Sequence, residues 1–312
     1  MKIETSIIIP TRNVGKRFEK TLKAIFEQVY NKPFEVIIVD SNSTDETIEI
    51  AKKYPVKILR FETGNLTHGQ SRNYGAEKSQ GKYLVFITGD AVPVDNTWLQ
   101  KLTEPLDNPE IGAVYGRQLP EPQVNPMEKF LLLVRYPSYR IVKSKKTGLE
   151  KVFRDNLIIS NVNSAVKKEL WEKFKFPEDV IMAEDRGLGK KILLDGWTIL
   201  YIPEAAVYHS HNYNLKTVFQ RYFDEGITLN QLYEPDEFNI KMQFFEGIKY
   251  LLREIYFLMT NNYILWVPYA LIYNFVKFLA MFLGTKEKYI PLKIKKKLSR
   301  YSNYWEAQVK KQ

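Results

Sequence analysis

The chain has 312 residues, 45% of them hydrophobic, so it is long enough for one large domain with an appendage or for two modest domains. It contains no cysteine, which excludes disulfide bonds and thiolate metal sites and leaves carboxylate, imidazole and water as candidate metal ligands. The net charge is +10. Most of it lies in residues 241–312, which contain 11 Lys and 2 Arg against 4 Glu and no Asp.

The first half of the chain alternates short apolar runs with segments of helical periodicity. Alternation of this kind is typical of βαβ units, and it predicts the α/β class with a Rossmann-like, mainly parallel sheet flanked by helices. Ligands of such sheets bind at the carboxyl ends of the strands. The predicted strands cover residues 6–10, 34–40, 56–60 and 83–88, and the predicted helices cover residues 14–28, 44–53 and 70–78.

The middle of the chain has a mixed pattern, and the end is helical. Short strands are predicted at 114–117 and 158–163, and helices at 167–174 and 184–195. Beyond residue 214 the pattern is helical throughout. We therefore expect a sheet-based domain over residues 1–230 and a basic, aromatic-rich helical C-terminal region over residues 231–312.

Residues 263–283 form an apolar stretch that is long enough to span a bilayer. Pro268, Asn274 and Lys277 interrupt it, and a lysine cluster follows at residues 293–297, so a helix lying in the membrane interface is favoured. Spanning the bilayer and packing on protein are the alternatives. The basic C-terminal region therefore predicts an anionic membrane surface as partner and no nucleic acid, with a merely solvated lysine-rich face as the alternative.

Polar residues follow the first two predicted strands. The first strand ends in Pro10 and the triad Thr11, Arg12 and Asn13, and the second ends in Asp40, with Ser43 in the following loop. Asp40 can accept a hydrogen bond from the imide N–H of a pyrimidine base. A loop that only caps the next helix has the same composition.

A third group of polar residues lies in the predicted helix over residues 70–78. Arg72 would face the same edge of the sheet, with Asn73 beside it. A guanidinium fork suits the oxygens of a diphosphate. An arginine on the helix surface is the alternative.

The fourth predicted strand ends near a single carboxylate, Asp90. A divalent cation bound to a diphosphate needs few protein ligands, because phosphate and water oxygens complete its coordination. His209 and His211 have the spacing that puts two side chains on one side of an extended segment, and either could add a nitrogen ligand. A purely structural role for the two histidines is the alternative.

Two adjacent carboxylates, Glu184 and Asp185, begin the helix predicted at 184–195. A carboxylate can remove the proton from an attacking hydroxyl. Neighbouring side chains point in different directions, so we expect only one of the two to contact an acceptor. Stabilisation of the helix N-terminus is the alternative role.

In this order and on this strand pattern, the motifs resemble glycosyltransferase family 2 from residue 6 to about residue 223. The motifs read IIIPTRN, VDSNSTD, HGQSRNYGA and YLVFITGDAVP. Thr88 replaces the first aspartate of the family's Asp-X-Asp motif, and Asp90 is retained. The forms TGDAVP, AEDRG and VYHSHNYNLKTVFQRYFDEG, together with the ending KYIPLKIKKKLSRYSNYW, are most similar to the rhamnosyltransferase branch, which uses dTDP-rhamnose.

The resemblance implies a GT-A fold and an inverting transfer of a sugar, for this branch rhamnose, from a nucleoside-diphosphate donor to a glycan or lipid-linked acceptor. Asp185 would be the catalytic base, with Glu184 supporting it. A Mg²⁺ or Mn²⁺ ion would be bound by Asp90, with His209 and His211 as further candidate ligands. The donor would contact Pro10, Thr11, Arg12, Asp40, Ser43, Arg72, Asn73, Thr88 and Asp90.

Three other functions are compatible with the motifs. The first is transfer of another sugar, such as glucose or galactose from UDP. The second is an inactive glycan-binding relative, which the missing first aspartate favours. A nucleotidyltransferase could share the fold, but the glycine-rich loop with an anchoring lysine that phosphate chemistry needs is absent from the sequence.

The N-terminus also bears on location. The apolar run at residues 7–9 is too short for the core of a signal peptide and ends at Pro10, so no export signal is expected. We therefore expect a cytoplasmic protein that is peripheral on the inner face of the cell membrane.

Overall fold

The computed structural model describes residues 2–61, 67–148, 158–233, 240–302 and 304–306. The chain divides into two units by its internal contacts. The sheet unit comprises Met1–Glu121, Leu133–Asp179 and Glu184–His209, and the helical unit comprises Pro122–Leu132, Val180–Ala183 and Ser210–Gln312.

The sheet unit is built on a mixed sheet of nine strands in the described residues. Their order is β3-β2-β1-β4-β8-β6-β9-β5, and β7 pairs with β9. The strands are β1 (Thr5–Thr11), β2 (Phe34–Asp40), β3 (Lys57–Arg60), β4 (Tyr83–Ile87), β5 (Val92–Pro93), β6 (Ile111–Leu119), β7 (Ile141–Lys143), β8 (Asn163–Lys167) and β9 (Thr198–Tyr208).

Most of these strands run in one direction, which confirms the predicted mainly parallel sheet. The pairs β1–β2, β2–β3, β1–β4 and β6–β9 are parallel, whereas β8 is antiparallel to both β4 and β6. The loops after β1, β2, β4, β6 and β9 therefore leave from one edge of the sheet, and the loop that enters β8 arrives there. We call this the carboxyl edge.

Helices flank the sheet. Those of the sheet unit are α1 (Arg17–Phe26), α2 (Thr47–Ala51), α3 (His68–Glu77), α4 (Trp98–Thr103), α6 (Lys168–Phe174) and α7 (Glu184–Leu194), and α5 (Pro126–Arg135) contributes residues to both units. Short 3-10 turns occupy Glu104–Asp107 and Lys145–Thr147.

The core of the sheet unit lies between the sheet and its helices. It buries the β-branched side chains of the strands together with Phe18, Leu22 and Trp98. Full burial of one such side chain contributes about 1.5–3 kcal/mol. The indole nitrogen of Trp98 is not orphaned, because it donates to Asn163 Oδ1 at 2.8 Å while Asn163 Nδ2 donates to the carbonyl of Ala205 at 2.7 Å. This polar bridge fixes the start of β8 inside the apolar core.

Two predicted helix boundaries move for local physical reasons, and one predicted strand is wrong. The first helix begins at Arg17 rather than at residue 14, because Asn13 and Gly15 adopt left-handed backbone conformations with φ of 51° and 71°. The second begins at Thr47, whose backbone N–H is held by Asp45 Oδ1 at 3.0 Å. The strand predicted at 158–163 is wrong, since the strand in this region is β8.

The helical unit contains α8 (Leu215–Leu232), α9 (Ile240–Thr260), α10 (Val267–Thr285) and α11 (Leu292–Leu298), with 3-10 turns at Ile264–Trp266 and Glu287–Tyr289. The predicted helical character beyond residue 214 is confirmed. Helices α8 and α10 approach so closely at Gly226 and Gly284 that a Cβ on either glycine would lie about 2 Å from a backbone oxygen of the other helix. The division of the chain at residue 230 stays a prediction.

Helices α9 and α10 and the turn between them expose apolar side chains. Leu265 is 91% exposed, and Leu252, Tyr256, Met259, Ile272 and Phe275 are exposed as well. By length and composition the stretch Ile264–Thr285 is capable of crossing a membrane. We call these exposed residues of 252–275 the apolar face.

Candidate active site

The loops that follow β1 and β2 are hydrogen-bonded to each other at the carboxyl edge. The parallel register pairs Thr11 with Asp40. Ser43 Oγ accepts from the backbone N–H of Asn13 at 2.9 Å, and Asn13 Oδ1 accepts from the backbone N–H of Thr44 at 2.8 Å. The two loops therefore form one hydrogen-bonded rim, in which Asn13 adopts a left-handed backbone.

Asp40 is buried at the base of this rim. Its Oδ1 accepts from Thr11 Oγ1 at 3.1 Å and from Ser43 Oγ at 2.5 Å, and its Oδ2 accepts from the backbone N–H of Ser43 at 3.0 Å. The Ser43 hydroxyl thus binds Asp40 and does not cap α2. Pro10 is half-buried in β1, and Arg12 is exposed beyond it. Direct contact of these residues with a donor stays a prediction.

A carboxylate and an imidazole meet where β4 and β9 end. Asp90 Oδ1 lies 3.6 Å from His209 Nε2, and both side chains are part of a group that could hold a metal ion. His209 Nδ1 lies 2.9 Å from Gln118 Oε1. An oxygen and a nitrogen at this separation fit a divalent cation between them, because two bonds of about 2.1 Å span 3.6 Å.

Thr88, a predicted donor contact, and His211, a candidate metal ligand, have different surroundings. Thr88, in the turn after β4, has a buried hydroxyl with no hydrogen-bond partner in the described residues. His211 is half-buried, belongs to the helical unit and stacks on Tyr213 with ring centroids 5.0 Å apart. Metal binding by His211 stays a prediction.

Arg17, at the start of α1, holds the turn that carries Asp90. Its Nε donates to the Asp90 carbonyl at 2.5 Å and its Nη2 donates to the Tyr208 carbonyl at 3.2 Å. Its Nη1 forms an ion pair with Glu121 Oε2 at 2.6 Å. Arg17 therefore links the ends of β4, β6 and β9, and no sequence motif indicated this role.

A buried ion pair lies between α3 and α7. Arg72 Nη1 donates to Glu184 Oε1 at 2.7 Å, and each side chain is no more than 6% exposed. Asn161 Nδ2 also lies 3.4 Å from Glu184 Oε1. Arg72 is thus not a surface residue. Its Nη1 is already bonded to Glu184, so the guanidinium is not a free two-pronged donor for a diphosphate. Its Nε has no hydrogen-bond partner in the described residues.

Asn73 is also buried, and both groups of its amide are used within the sheet unit. Its Nδ2 donates to the Phe176 carbonyl at 3.0 Å and to Glu178 Oε1 at 2.8 Å. Its Oδ1 accepts from Trp171 Nε1 at 2.9 Å. The predicted direct contact of Asn73 with a donor would require these hydrogen bonds to break.

Asp185 is half-buried and is oriented by backbone groups. Its Oδ2 accepts from the backbone N–H of Asn161 at 2.9 Å, and its Oδ1 accepts from the backbone N–H of Arg186 at 2.8 Å. Burial raises the pKa of Asp185 above the ordinary aspartate value, and the adjacent charge of Glu184 raises it further. A carboxylate with a raised pKa is a stronger proton acceptor, which suits a general base.

Comparison with known proteins gives the following matches. Residues 6–174, more than half of the chain, match the model of "Glycosyl transferase family 2". The chain is 35% identical to the O-antigen chain rhamnosyltransferase RfbN of Salmonella typhimurium, over 98% of this chain and 96% of that protein. It is 33% identical to the O-antigen chain rhamnosyltransferase WbaN of Salmonella anatum, over 96% of this chain and 95% of that protein.

Solved structures with the same fold are more distant in sequence. The mannosyltransferase PcManGT from Pyrobaculum calidifontis, in complex with GDP-Man and Mn²⁺, has a TM-score of 0.57 at 20% identity, covering 100% of this chain and 87% of that one. Residues 1–349 of S. aureus TarS, in complex with UDP-GlcNAc, have a TM-score of 0.54 at 19% identity, covering 75% of this chain and 69% of that one. These likenesses confirm the GT-A fold.

Proposed function

The chain belongs to glycosyl transferase family 2 and is a glycosyltransferase that uses a nucleotide-sugar donor; on this premise we propose that it transfers rhamnose from dTDP-rhamnose, with inversion, to a glycan or lipid-linked acceptor. The observation that carries the choice of sugar is relatedness to two O-antigen rhamnosyltransferases over nearly the whole chain. Transfer of another sugar remains the competing function, because few pocket residues distinguish sugars.

We assign the donor to the carboxyl edge. The rim that includes Thr11, Asp40 and Ser43 lies where parallel sheets bind nucleotides, and its internal hydrogen bonds hold the Asp40 carboxylate in place. Pro10 and Arg12 flank this rim, and Thr88 and Asp90 follow the neighbouring strand β4. Arg72 and Asn73 lie behind the edge in buried positions, so we propose that they support it in addition to any contact with the donor.

We propose that Asp90 and His209 hold a Mg²⁺ or Mn²⁺ ion, with His211 as a further ligand. Their oxygen and nitrogen donors and the 3.6 Å separation of Asp90 from His209 suit such an ion. A divalent cation neutralises charge on the departing diphosphate. Arg17 keeps the Asp90 turn in place through the carbonyl of that residue.

Asp185 is the proposed base of a one-step displacement. The acceptor hydroxyl oxygen bonds to the anomeric carbon as the bond from that carbon to the diphosphate oxygen breaks. The hydroxyl proton passes to Asp185, and the nucleoside diphosphate leaves with the bonding electrons. The Asn161 and Arg186 backbone N–H groups orient the carboxylate, and the Glu184–Arg72 pair fixes the start of α7.

We also propose that the helical unit attaches the enzyme to the cytoplasmic surface of a membrane. The apolar face exposes aliphatic and aromatic side chains to solvent, which is unfavourable unless another apolar phase covers them. Lysines of α11 and its neighbours add positive charge, and each lysine near an anionic bilayer contributes about 1 kcal/mol. This arrangement suits an acceptor that is carried by a lipid.

A donor panel tests the proposed function. Purified protein is mixed with dTDP-rhamnose, UDP-glucose or UDP-galactose, with Mn²⁺ or with EDTA, and both thermal stability and release of nucleoside diphosphate are measured. A donor at about 100 times its Kd stabilises the folded state by about 2.7 kcal/mol. We expect selective stabilisation and slow dTDP release with dTDP-rhamnose and Mn²⁺. Preference for a UDP-sugar would reassign the donor, and release of pyrophosphate would indicate a nucleotidyltransferase.

A further inference from the structure

Gln118 lies near the end of β6 with its side chain buried, and each half of its amide has a different kind of neighbour. Its Oε1 lies 2.9 Å from His209 Nδ1. Its Nε2 lies 2.5 Å from the hydroxyl oxygen of Tyr136 and 3.0 Å from that of Ser160. Tyr136 and Ser160 are themselves buried, so the glutamine amide and its hydroxyl partners all lie inside the protein.

The orientation of this amide bears on which ring nitrogen of His209 carries the proton. The two N–H groups of the Gln118 amide are directed at two hydroxyl oxygens, which can accept them, and the amide oxygen is left to accept from Nδ1. A neutral imidazole has one N–H, so Nε2 then presents a lone pair. It does so toward Asp90 Oδ1, which is 3.6 Å away.

The opposite orientation of the amide would have the opposite effect. If the Gln118 nitrogen faced His209, Nδ1 would accept, Nε2 would carry the proton, and His209 would point an N–H at Asp90. Such a pair holds itself together by a hydrogen bond or ion pair and offers no nitrogen to a cation. Histidines that bind metals almost always donate their other N–H to an oxygen, which is what the observed orientation provides.

We propose that Gln118 is a positioning residue that fixes His209 in the tautomer with the proton on Nδ1, and so makes Nε2 a ligand for the divalent cation. The inference rests on the cation site of the proposed function. Gln118 touches neither the cation nor the donor in this role. It acts through His209 alone.

Two substitutions at Gln118 separate this role from simple packing. Gln118→Met has similar length but no strong acceptor, and we expect it to weaken Mn²⁺ binding by about 10–100-fold, the usual effect of losing a partner behind a metal ligand. Gln118→Glu keeps an acceptor for Nδ1–H, and the hydroxyls of Tyr136 and Ser160 can rotate to donate to the new carboxylate. We expect Gln118→Glu to keep Mn²⁺ affinity close to that of the wild type.

Gln28→Met is the matched control in the same unit. Gln28 also uses both halves of its amide, donating to the carbonyls of Ala24 and Asp95 and accepting from the backbone N–H of Leu99. The thermal stability of Gln28→Met shows how far the loss of a structural glutamine destabilises the fold. Thermal stability of all variants is measured beside Mn²⁺ affinity, and Gln28→Met should leave the affinity unchanged.

The experiment has two readouts on the full chain. Free Mn²⁺ is followed by electron paramagnetic resonance during titration of wild type and variants, and the histidine ring nitrogens are followed by ¹⁵N NMR without metal at about pH 8. The chain has three histidines, so a His209→Gln variant identifies the His209 signal. We expect the proton of His209 on Nδ1 in the wild type and in Gln118→Glu, and a loss of this preference in Gln118→Met.

Results against the role of Gln118 differ from results against the cation site itself. A His209 proton on Nε2 in the wild type, or Mn²⁺ affinity in Gln118→Met within about twofold of the wild type, would overturn the role of Gln118 and leave the cation site standing. A wild type that does not bind Mn²⁺ at all would overturn the cation site of the proposed function, and this inference with it.

Discussion

The carboxyl edge of the sheet unit and the apolar face of the helical unit differ in how their exposed and buried groups are satisfied. At the edge, Asp40, Glu184 and Asp185 each accept hydrogen bonds from neighbouring protein groups. On the apolar face, side chains such as Leu265 and Phe275 are exposed to solvent. The carboxylates of the edge are bonded to protein groups, whereas the side chains of the apolar face are open to solvent.

We propose that this contrast reflects the role of each region. Buried, hydrogen-bonded polar groups cost free energy to assemble and hold reacting groups in a fixed geometry, so they are typical of a catalytic centre. Exposed apolar groups bind another phase without requiring fixed geometry. Substitutions at the edge should therefore impair chemistry or folding, whereas substitutions on the apolar face should change location.

The largest expected effect follows removal of the proposed base. Asp185→Asn keeps the size of the side chain but cannot take a proton, so transfer should fall by about 10²–10⁴-fold while the donor Kd stays within about threefold. Initial rates with dTDP-rhamnose and an acceptor extract, together with donor titration, check this. Near-normal transfer would leave Asp185 as a residue that only stabilises the start of α7.

Removal of Arg72 should mainly lower stability. Arg72→Met leaves Glu184 charged, buried and without its cation, which costs about 3–5 kcal/mol of unfolding free energy. The double variant Arg72→Met/Glu184→Gln removes both charges and should recover a large part of this loss. Chemical denaturation of the wild type and both variants gives the comparison. A double variant that is less stable than Arg72→Met would contradict the view of the two residues as an isolated buried pair.

Loss of the Asp90 carboxylate should weaken cation binding. Asp90→Asn keeps the shape of the side chain but removes its charge, so Mn²⁺ affinity should fall by at least about 10–100-fold, the range known for the milder loss of a supporting residue. Titration of Mn²⁺ measures the effect. Asp95→Asn, which removes a carboxylate that pairs with Lys101, is the control of equal charge. Equal losses in both variants would show a general effect of charge.

The smallest expected effect concerns the membrane. Leu265→Asp places a charge on the apolar face and should lower the fraction bound to anionic vesicles by about tenfold, because burial of one leucine contributes about 1.5–3 kcal/mol. Val29→Asp, at an exposed valine of the sheet unit, is the control. Vesicle sedimentation with and without anionic lipid separates apolar from electrostatic binding. Equal binding by both variants would indicate that the apolar face packs on protein and does not bind the membrane.

Much of the carboxyl edge could be predicted from local sequence. The apolar runs of β1, β2 and β4 and the polar residues after them are contiguous in the chain, and parallel pairing brings their ends together. The positions of Asp40 and Asp90 at strand ends were predictable for this reason, and that of Asp185 from the helix predicted to begin at Glu184. The direct ion pair of Arg72 with Glu184 was not, since the two residues are 112 positions apart.

The residues that sequence reasoning missed all act through distant partners. Gln118, Asn161 and Arg17 bind groups of residues that are distant in the chain, and no short motif marks them. Asn161 fell within the strand predicted at 158–163, whereas β8 begins only at Asn163. The signal that could have identified these residues is a polar side chain inside an otherwise apolar segment, which must find a partner when buried.

The central claim is that Asp185 is the base and that its buried surroundings, including the charge of Glu184, raise its pKa. The most direct test is the dependence of kcat/KM on pH for the wild type and Glu184→Gln. The base must be ionised, so activity falls as pH drops through the raised pKa, and the acidic limb of the wild type should lie above the ordinary aspartate range. In Glu184→Gln a neighbouring negative charge is gone, so the limb should move to lower pH. A limb in the ordinary aspartate range that is unchanged in Glu184→Gln would contradict the account.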